Sequence, residues 1–369
     1  MREANSPEEQ AAYNDSAVAI AEQLTEARRA LMMPKMTEAA TIEERFGPLE
    51  RAGMGVALEY ERMGNQPVTD GLKERADRYG FAFEHLGITI GTIVHGIDLK
   101  GELDADLVRF IRDVLLERKI VCFRDQHLDE DEQVAFGRHF GELDAFPFGP
   151  PGDNPYIVKI QASHRAPARQ NLWHTDVTWM EKPSLGSIAQ CIEVPPIGGD
   201  TLFSDSHAVY LGLPKALSER IQRLHGINDY RVFLARDPGL DPDFVESMKE
   251  RIPFGVSHPL CRTHPETGKT ALYIHGGFLR HDSLFDVRTG KPLPKEEAEA
   301  LVASLLTQHS RPEYICRYRW EPGSIAFWDN RAVQHYAACD YFPHRRLLQR
   351  VTVSGDRPFY NPDAAPRAA

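Results

Sequence analysis

Asn171-Leu-Trp-His-Thr-Asp-Val-Thr-Trp179 is the stretch on which the reading of this chain turns. His174 and Asp176 stand two positions apart, and on an extended segment side chains at that spacing point the same way. A third candidate ligand, His335, stands in Trp328-Asp-Asn-Arg-Ala-Val-Gln-His-Tyr336. Two histidines and one carboxylate on one face of an iron(II) ion leave three coordination positions open. Zinc catalytic sites use the same donors, so the three residues alone do not fix the metal. Taken singly, His174 reads equally well as an exposed polar residue and Asp176 as a turn cap.

Downstream lies Arg345-Arg-Leu-Leu-Gln-Arg-Val-Thr-Val353. As a strand it puts Arg346, Leu348, Arg350 and Thr352 on one face. The two guanidiniums are then about 13 Å apart, four rises of roughly 3.3 Å. That is too far to clamp one small anion, but it suits two anions at opposite ends of one cavity. Burying both demands anionic ligands or internal carboxylates, and ion pairs with Asp or Glu would serve equally.

The 369 residues are 42% hydrophobic and 26% charged, the balance of an ordinary globular protein with room for a full core. Net charge is −11 and no basic tract occurs, which argues against a nucleic-acid surface. An anionic small molecule stays possible, because one or two buried arginines suffice to hold it. Cys122, Cys191, Cys261, Cys316 and Cys339 never form a C-x-x-C pair, so a reducing compartment is expected rather than a disulfide framework or zinc knuckle. Residues 1–10 lack the apolar run of a secretory signal, and no run reaches the roughly 18 apolar residues of a membrane helix. The expectation is a cytoplasmic protein with neither nucleic acid nor membrane as partner.

Residues 1–80 read as a helical extension, and 81–369 as the main domain. Ser6-Pro7-Glu8-Glu9 is a helix start. Ala17, Ile20, Leu24, Ala27 and Leu31 then form a narrow apolar stripe, suited to docking on the body or on a sister subunit. A homo-oligomer, dimer or tetramer, is the corresponding expectation. Met54 to Arg78 is a weaker helical stretch broken by Gly64 and Pro67. Beyond it, alternation predicts strands at 88–94, 120–123, 186–192, 270–274, 315–320, 324–328 and 347–353. Helical spacing falls at 103–118, 129–140, 209–224 and 295–308. The Pro-, Asp- and Gly-rich run from Val232 to Pro259, around one short helix, is a candidate lid. The fold class expected is α+β: a mainly β, antiparallel core with helices packed outside.

The combination is more specific than its parts: H-T-D at His174 to Asp176, G-G-D-T at Gly198 to Thr201, D-N-R-x-x-x-H at Asp329 to His335, then Arg346 and Arg350. In that order the chain resembles the taurine dioxygenase and dichlorophenoxyacetate dioxygenase family of iron(II)- and 2-oxoglutarate-dependent oxygenases. The likeness runs from roughly Phe81 to Tyr360 and takes in His258-Pro-Leu-Cys-Arg-Thr-His-Pro-Glu-Thr-Gly268 and Gly355-Asp-Arg-Pro-Phe-Tyr360. It implies a double-stranded β-helix, or jelly roll, with surrounding helices. It implies that His174, Asp176 and His335 ligate Fe(2+), and that Arg346 and Thr201 hold the distal carboxylate of 2-oxoglutarate. Arg350 would face the anionic group of the primary substrate. With O2 as the other co-substrate, the implied reaction hydroxylates a C–H bond and releases succinate and CO2. Halogenating relatives have a small residue in place of the carboxylate, so the presence of Asp176 favours hydroxylation. Beside a heteroatom, that product would collapse with C–S, C–O or C–N cleavage.

The chain also departs from the family pattern. Taurine-specific members hold their substrate with His, Tyr and Asn, where this sequence aligns Phe146, Gly149 and Gln170. The first two replacements delete hydrogen-bonding groups, and sites built on buried polar contacts discriminate strongly, which argues against taurine. Phe146, Phe148, Trp179 and Phe278 would instead wall an apolar pocket, with ordinary core packing the alternative for Phe148 and Phe278. The expected substrate is a small anionic organic molecule (sulfonate, sulfate ester or carboxylate) with a hydrophobic body. Two alternatives stay open: the same iron chemistry ending in desaturation, epimerisation or cyclisation, or a zinc hydrolase using the same ligands.

Overall fold

The structure is a computed structural model that describes residues 52–145, 154–163, 171–234, 242–251 and 254–364. The apolar stripe at 17–31, together with Phe146, Phe148, Gly149 and Gln170, lies outside the described residues. In chain order the strands are β1 (Ala82–His85), β2 (Thr92–His95), β3 (Ile120–Phe123), β4 (Val158–Ala162) and β5 (Gly186–Glu193). Next come β6 (Thr201–Asp205), β7 (Leu224–Asn228), β8 (Val256–Pro259), β9 (Cys261–Thr263) and β10 (Thr270–Leu272). The last are β11 (Phe285–Asp286), β12 (Ile315–Tyr318), β13 (Ile325–Asp329), β14 (Val333–Ala337) and β15 (Arg346–Val353).

Among the described residues, a seven-stranded sheet in the order β1-β2-β3-β13-β5-β15-β4 faces a three-stranded sheet in the order β12-β6-β14. Alternation explains how they meet. On β13, Ala326 and Trp328 point toward the smaller sheet, where Phe203, Tyr318 and Val333 receive them, whereas Ile325 and Phe327 point outward. β15 obeys the same rule: Leu348 is inward and Val351 outward, so Arg346 and Arg350 share the inward face with Leu348. Only the β2–β3 pairing is parallel among these strands. A mainly β, antiparallel core is thus present.

Helices cover the outer face of the large sheet. Helix Ala105–Arg118 starts at Asp104, whose side chain accepts from Leu107 N, and ends at Lys119 in a left-handed conformation. Phe110, Ile111, Val114 and Leu115 recur at helical spacing and are buried against the sheet. Each such side chain contributes about 1.5–3 kcal/mol by leaving water. Helix Glu130–Arg138 begins with a reciprocal capping box between Asp129 and Glu132. Behind the smaller sheet, helices Ser206–Gly212, Lys215–Ile221 and Lys295–Gln308 enclose a separate apolar cluster with β7, β9 and β10.

Helix Ala52–Arg62 packs on this second helical layer. A Cβ on Gly55 would lie 2.2 Å from the Ala208 carbonyl oxygen, so only glycine permits that approach. Two expected elements change. The strand expected at 88–94 starts at Thr92, because Gly91 turns the chain at φ 79°. The helix expected at 209–224 is two helices, divided around Pro214, which disfavours helical conformation in Leu213 before it. Among the described residues, no helix is long and apolar enough to cross a membrane.

Candidate active site

His174 and His335 are brought together by backbone before any side chain is considered. Their N–H and C=O groups exchange two antiparallel hydrogen bonds, His174 N to His335 O at 3.1 Å and His335 N to His174 O at 2.8 Å. The smaller sheet therefore continues for one residue beyond β14, and a directly opposed pair presents both side chains on one face. The imidazole centroids are 4.1 Å apart. Asp176 reaches the same point two residues on, and one donor atom from each of the three lies within 4.8 Å of the others, all buried. Val177 then adopts φ 47°, a left-handed conformation that costs a β-branched residue about 1–3 kcal/mol. The chain is held strained where the carboxylate must turn inward.

The donor set suits a divalent metal. Nδ1 of His174 lies 2.8 Å from the Leu172 carbonyl oxygen, which can only accept, so that nitrogen donates and Nε2 keeps its lone pair. Nε2 of His335 is 3.9 Å from Oδ1 of Asp176. Burial pushes His335 down to about 3 and lowers His174, so both rings are neutral and able to ligate at neutral pH. Burial alone would raise the Asp176 carboxyl, but the Arg350 guanidinium, with His335 and His174, holds it well below the usual carboxylate range. Arg350 donates from Nη1 to Oδ1 of Asp176 at 3.0 Å, while its Nε is buried without a partner among the described residues. The other oxygen, Oδ2, accepts from Ser187 Oγ at 2.7 Å.

Arg346 sits deeper in the same inter-sheet space, at 4% exposure, and makes no ion pair with a carboxylate among the described residues. Its Nη2 lies 3.4 Å from Thr201 Oγ1, and the Trp320 and Tyr341 rings flank it at 5.9 and 5.8 Å. Burial depresses its pKa, partly offset by Tyr341. A desolvated cation of this kind calls for an anion. Register locates it relative to the histidines: β6 places Phe203 opposite His335 and Thr201 opposite Ala337. The Thr201 end is thus a two-residue step along the same face, roughly 6.6 Å from the metal-ligand level. That spacing suits a five-carbon diacid lying between them. The G-G-D-T turn makes room for it: Gly199 has φ 73°, and a Cβ there would meet Arg346 Cδ at 3.1 Å.

The substrate-side expectations fare unevenly. Trp179 packs edge-on to Tyr230 at 5.2 Å, and Phe278 stacks on Tyr230 at 6.0 Å. Val177, Met180, Leu234, Val245 and Met248 join them in one apolar cluster, so helix Pro242–Arg251 of the expected lid region is anchored here. This cluster adjoins the ligand turn, since a Cβ on Gly277 would contact His174 Cβ at 3.5 Å. Phe146 and Gln170 lie outside the described residues.

Three residues beside the site were not singled out from the sequence: Tyr230, Ser187 and Asn330. Asn330 was visible as the centre of D-N-R, and Ser187 as an inward position on β5 in phase with Ala189 and Cys191. The D-N-R turn is itself clamped from outside. Asp329 binds the Arg331 guanidinium by two hydrogen bonds and His264 Nε2 at 3.0 Å, and Arg331 reaches Glu266 at 2.7 Å. That is the physical use of the H-P-E-T-G segment.

A buried His-Asp-His centre between two facing sheets, beside a buried arginine with no carboxylate partner among the described residues, is a candidate metal site. Comparison with known proteins fits it. Residues 82–352 match the model of the family described as taurine catabolism dioxygenase TauD, TfdA family. The chain is 34% identical over 276 residues to the alpha-ketoglutarate-dependent sulfate ester dioxygenase of Pseudomonas putida, covering 73% of this chain and 88% of that protein. It is 33% identical over 273 residues to the alkylsulfatase of Acinetobacter baylyi, covering 72% and 83%. The crystal structure of a taurine dioxygenase from Burkholderia xenovorans superposes with a TM-score of 0.61 at 33% identity, over 78% of this chain and 94% of that one. This chain belongs to the TauD/TfdA family.

Proposed function

We propose that the protein is an iron(II)- and 2-oxoglutarate-dependent dioxygenase that hydroxylates a C–H bond of a small hydrophobic anion, with sulfate esters the leading substrate class. The observation that carries this reading is Arg346: buried, lacking a carboxylate partner among the described residues, and beside Thr201, a two-residue step along β6 from the level of His335. A zinc hydrolase would leave that guanidinium without an occupant. The facing sheets read as the family's double-stranded β-helix, and residues 81–369 as the catalytic domain. Residues 1–80 read as a helical extension whose part from Ala52 onward packs on the body of the same chain, and a homo-oligomer is the assembly expected. Five unpaired cysteines support a cytoplasmic setting.

His174, Asp176 and His335 would hold the iron. When bound, iron(II) supplies the coupling of O2 reduction and decarboxylation of 2-oxoglutarate, to succinate and CO2, to insertion of one oxygen atom into substrate. Arg346 would grip the distal carboxylate through two parallel charge-assisted bonds, with the Thr201 hydroxyl on the same group, fixing the direction of the keto acid. Arg350 keeps N–H groups free of Asp176, and these would receive the substrate's anionic group. Trp179 and Phe278, with Phe146 and Gln170, would wall the substrate body and keep water out. On a sulfate ester, hydroxylation of the carbon bearing the ester oxygen gives an unstable hemiacetal-type product. It breaks the C–O bond to an aldehyde and inorganic sulfate.

The relatives that act on sulfate esters by name support this choice, as do Phe146 and Gly149 in place of two of the three hydrogen-bonding groups of taurine-specific members. A panel of alkyl sulfates, aryloxyacetates and taurine, assayed for succinate and product mass, tests it. Alkyl sulfates are expected to give succinate and sulfate in equal amounts. Equal turnover of taurine would contradict the substrate class, and a product lighter by two hydrogens would mean desaturation.

A further inference from the structure

We infer that Ser187 and Asn330 are positioning residues that hold Asp176 as a one-oxygen metal ligand, turning Oδ1 toward the histidines and withholding Oδ2. The inference rests on the metal-centre reading above. A carboxylate rotates readily about its last torsion, which has broad, two-fold minima, so its backbone alone does not decide whether one oxygen or both face a cation. Something else must fix it.

The fixing begins at Trp328. Its indole Nε1 can only donate, and it bonds Asn330 Oδ1 at 2.9 Å. That contact settles the amide orientation: oxygen faces the indole, and Nδ2 must face the other way. Nδ2 donates to Ser184 Oγ at 2.8 Å and to Ser187 Oγ at 3.3 Å. With Ser187 Oγ already accepting, its single proton is free for Asp176 Oδ2, at 2.7 Å. Every proton in the relay is thus directed from a donor that cannot reverse. Thr175, between the two ligands of the H-T-D turn, closes the arrangement by donating to the Asn330 carbonyl oxygen at 2.8 Å. Trp328, Asn330, Ser184, Ser187 and Thr175 are all buried, so water does not compete.

The consequence is a matter of coordination number. Two histidines and one carboxylate oxygen leave three of six positions, two for the chelating keto acid and one for O2. A carboxylate binding through both oxygens would leave two, and 2-oxoglutarate would fill them. Ser187 and Asn330 would therefore keep that position open by acting on Asp176 rather than as ligands themselves.

Manganese(II) in place of iron tests this without turnover. Broadening of its electron spin resonance lines by 17O-labelled water counts the waters left on the metal. The wild-type manganese–2-oxoglutarate complex is expected to keep one exchangeable water, and the Ser187→Ala complex none. One water retained in Ser187→Ala would overturn the inference. A crystal structure of the wild-type complex decides independently of any variant: Asp176 bound through Oδ1 alone, with Oδ2 on Ser187, is required, and binding through both oxygens overturns it. Wild-type protein that binds no manganese at His174, Asp176 and His335 would overturn both this inference and the function it rests on.

Discussion

Arg346 joins electrostatics to function at a single side chain. A buried guanidinium without a carboxylate gains most from an incoming carboxylate, and a charge-assisted pair is worth about 1.5–3 kcal/mol. Arg346→Ala should therefore weaken 2-oxoglutarate by roughly 10–100-fold, read by anaerobic titration, and leave metal affinity nearly unchanged. Arg346→Lys should not restore it, because an ammonium cannot reproduce the planar fork. Gly199 makes a matching prediction from the backbone. Its φ of 73° and the 3.1 Å approach to Arg346 mean that Gly199→Ala should lower stability and raise the KM for 2-oxoglutarate together. A stability loss with unchanged KM would show that the glycine serves only the turn. Arg346 was legible in the sequence because strand alternation assigns its face; the need for Gly199 was not, because it arises from a contact between segments far apart in the chain.

Helix Ala52–Arg62 shows what patterning hides. Its Leu-Glu-Tyr-Glu-Arg run reads like a solvated face, yet Glu59 is fully buried. Its carboxylate pairs with Lys119 at 3.1 Å and Lys269 at 2.9 Å, and Lys119 also pairs with Asp205 at 2.9 Å. Burial alone would raise the Glu59 carboxyl, but the two ammonium groups outweigh it and hold it well below the usual range. A carboxyl depressed in the folded chain contributes stability above its unfolded pKa of about 4.3, and the contribution fades as pH falls below that value. Glu59→Ala would take from Lys269 its carboxylate partner and leave Lys119 with Asp205 alone, and should cost about 3–5 kcal/mol in urea unfolding at pH 7. A loss below about 1 kcal/mol, the range of an exposed pair, would contradict the burial. The candidate lid was equally half-legible: Pro and Gly marked an irregular run, but nothing local announced that Met248 is buried against Trp179 and Tyr230.

Across the whole molecule, buried histidines dictate how the fold responds to acid. Burial pushes His309 down to about 3 and His207 and His258 to about 4. Between those values and the unfolded pKa of about 6.5, the unfolded chain binds protons that the folded chain refuses. Stability of the metal-free protein should therefore fall as pH drops from about 6.5 toward 4, seen as a decline in the urea midpoint. A midpoint that is flat over that window would mean these rings are not held neutral. The order of motifs made the core and the three ligands readable, because chemistry constrained them locally. The pairing that draws His174 against His335 spans 161 positions and belongs to the folded sheet alone. Anaerobic addition of iron(II) and then 2-oxoglutarate to the protein tests the central claim most directly. A weak visible metal-to-ligand charge-transfer band is predicted, lost in Asp176→Ala and requiring higher 2-oxoglutarate in Arg346→Ala; wild-type protein that stays colourless with both added would contradict the account.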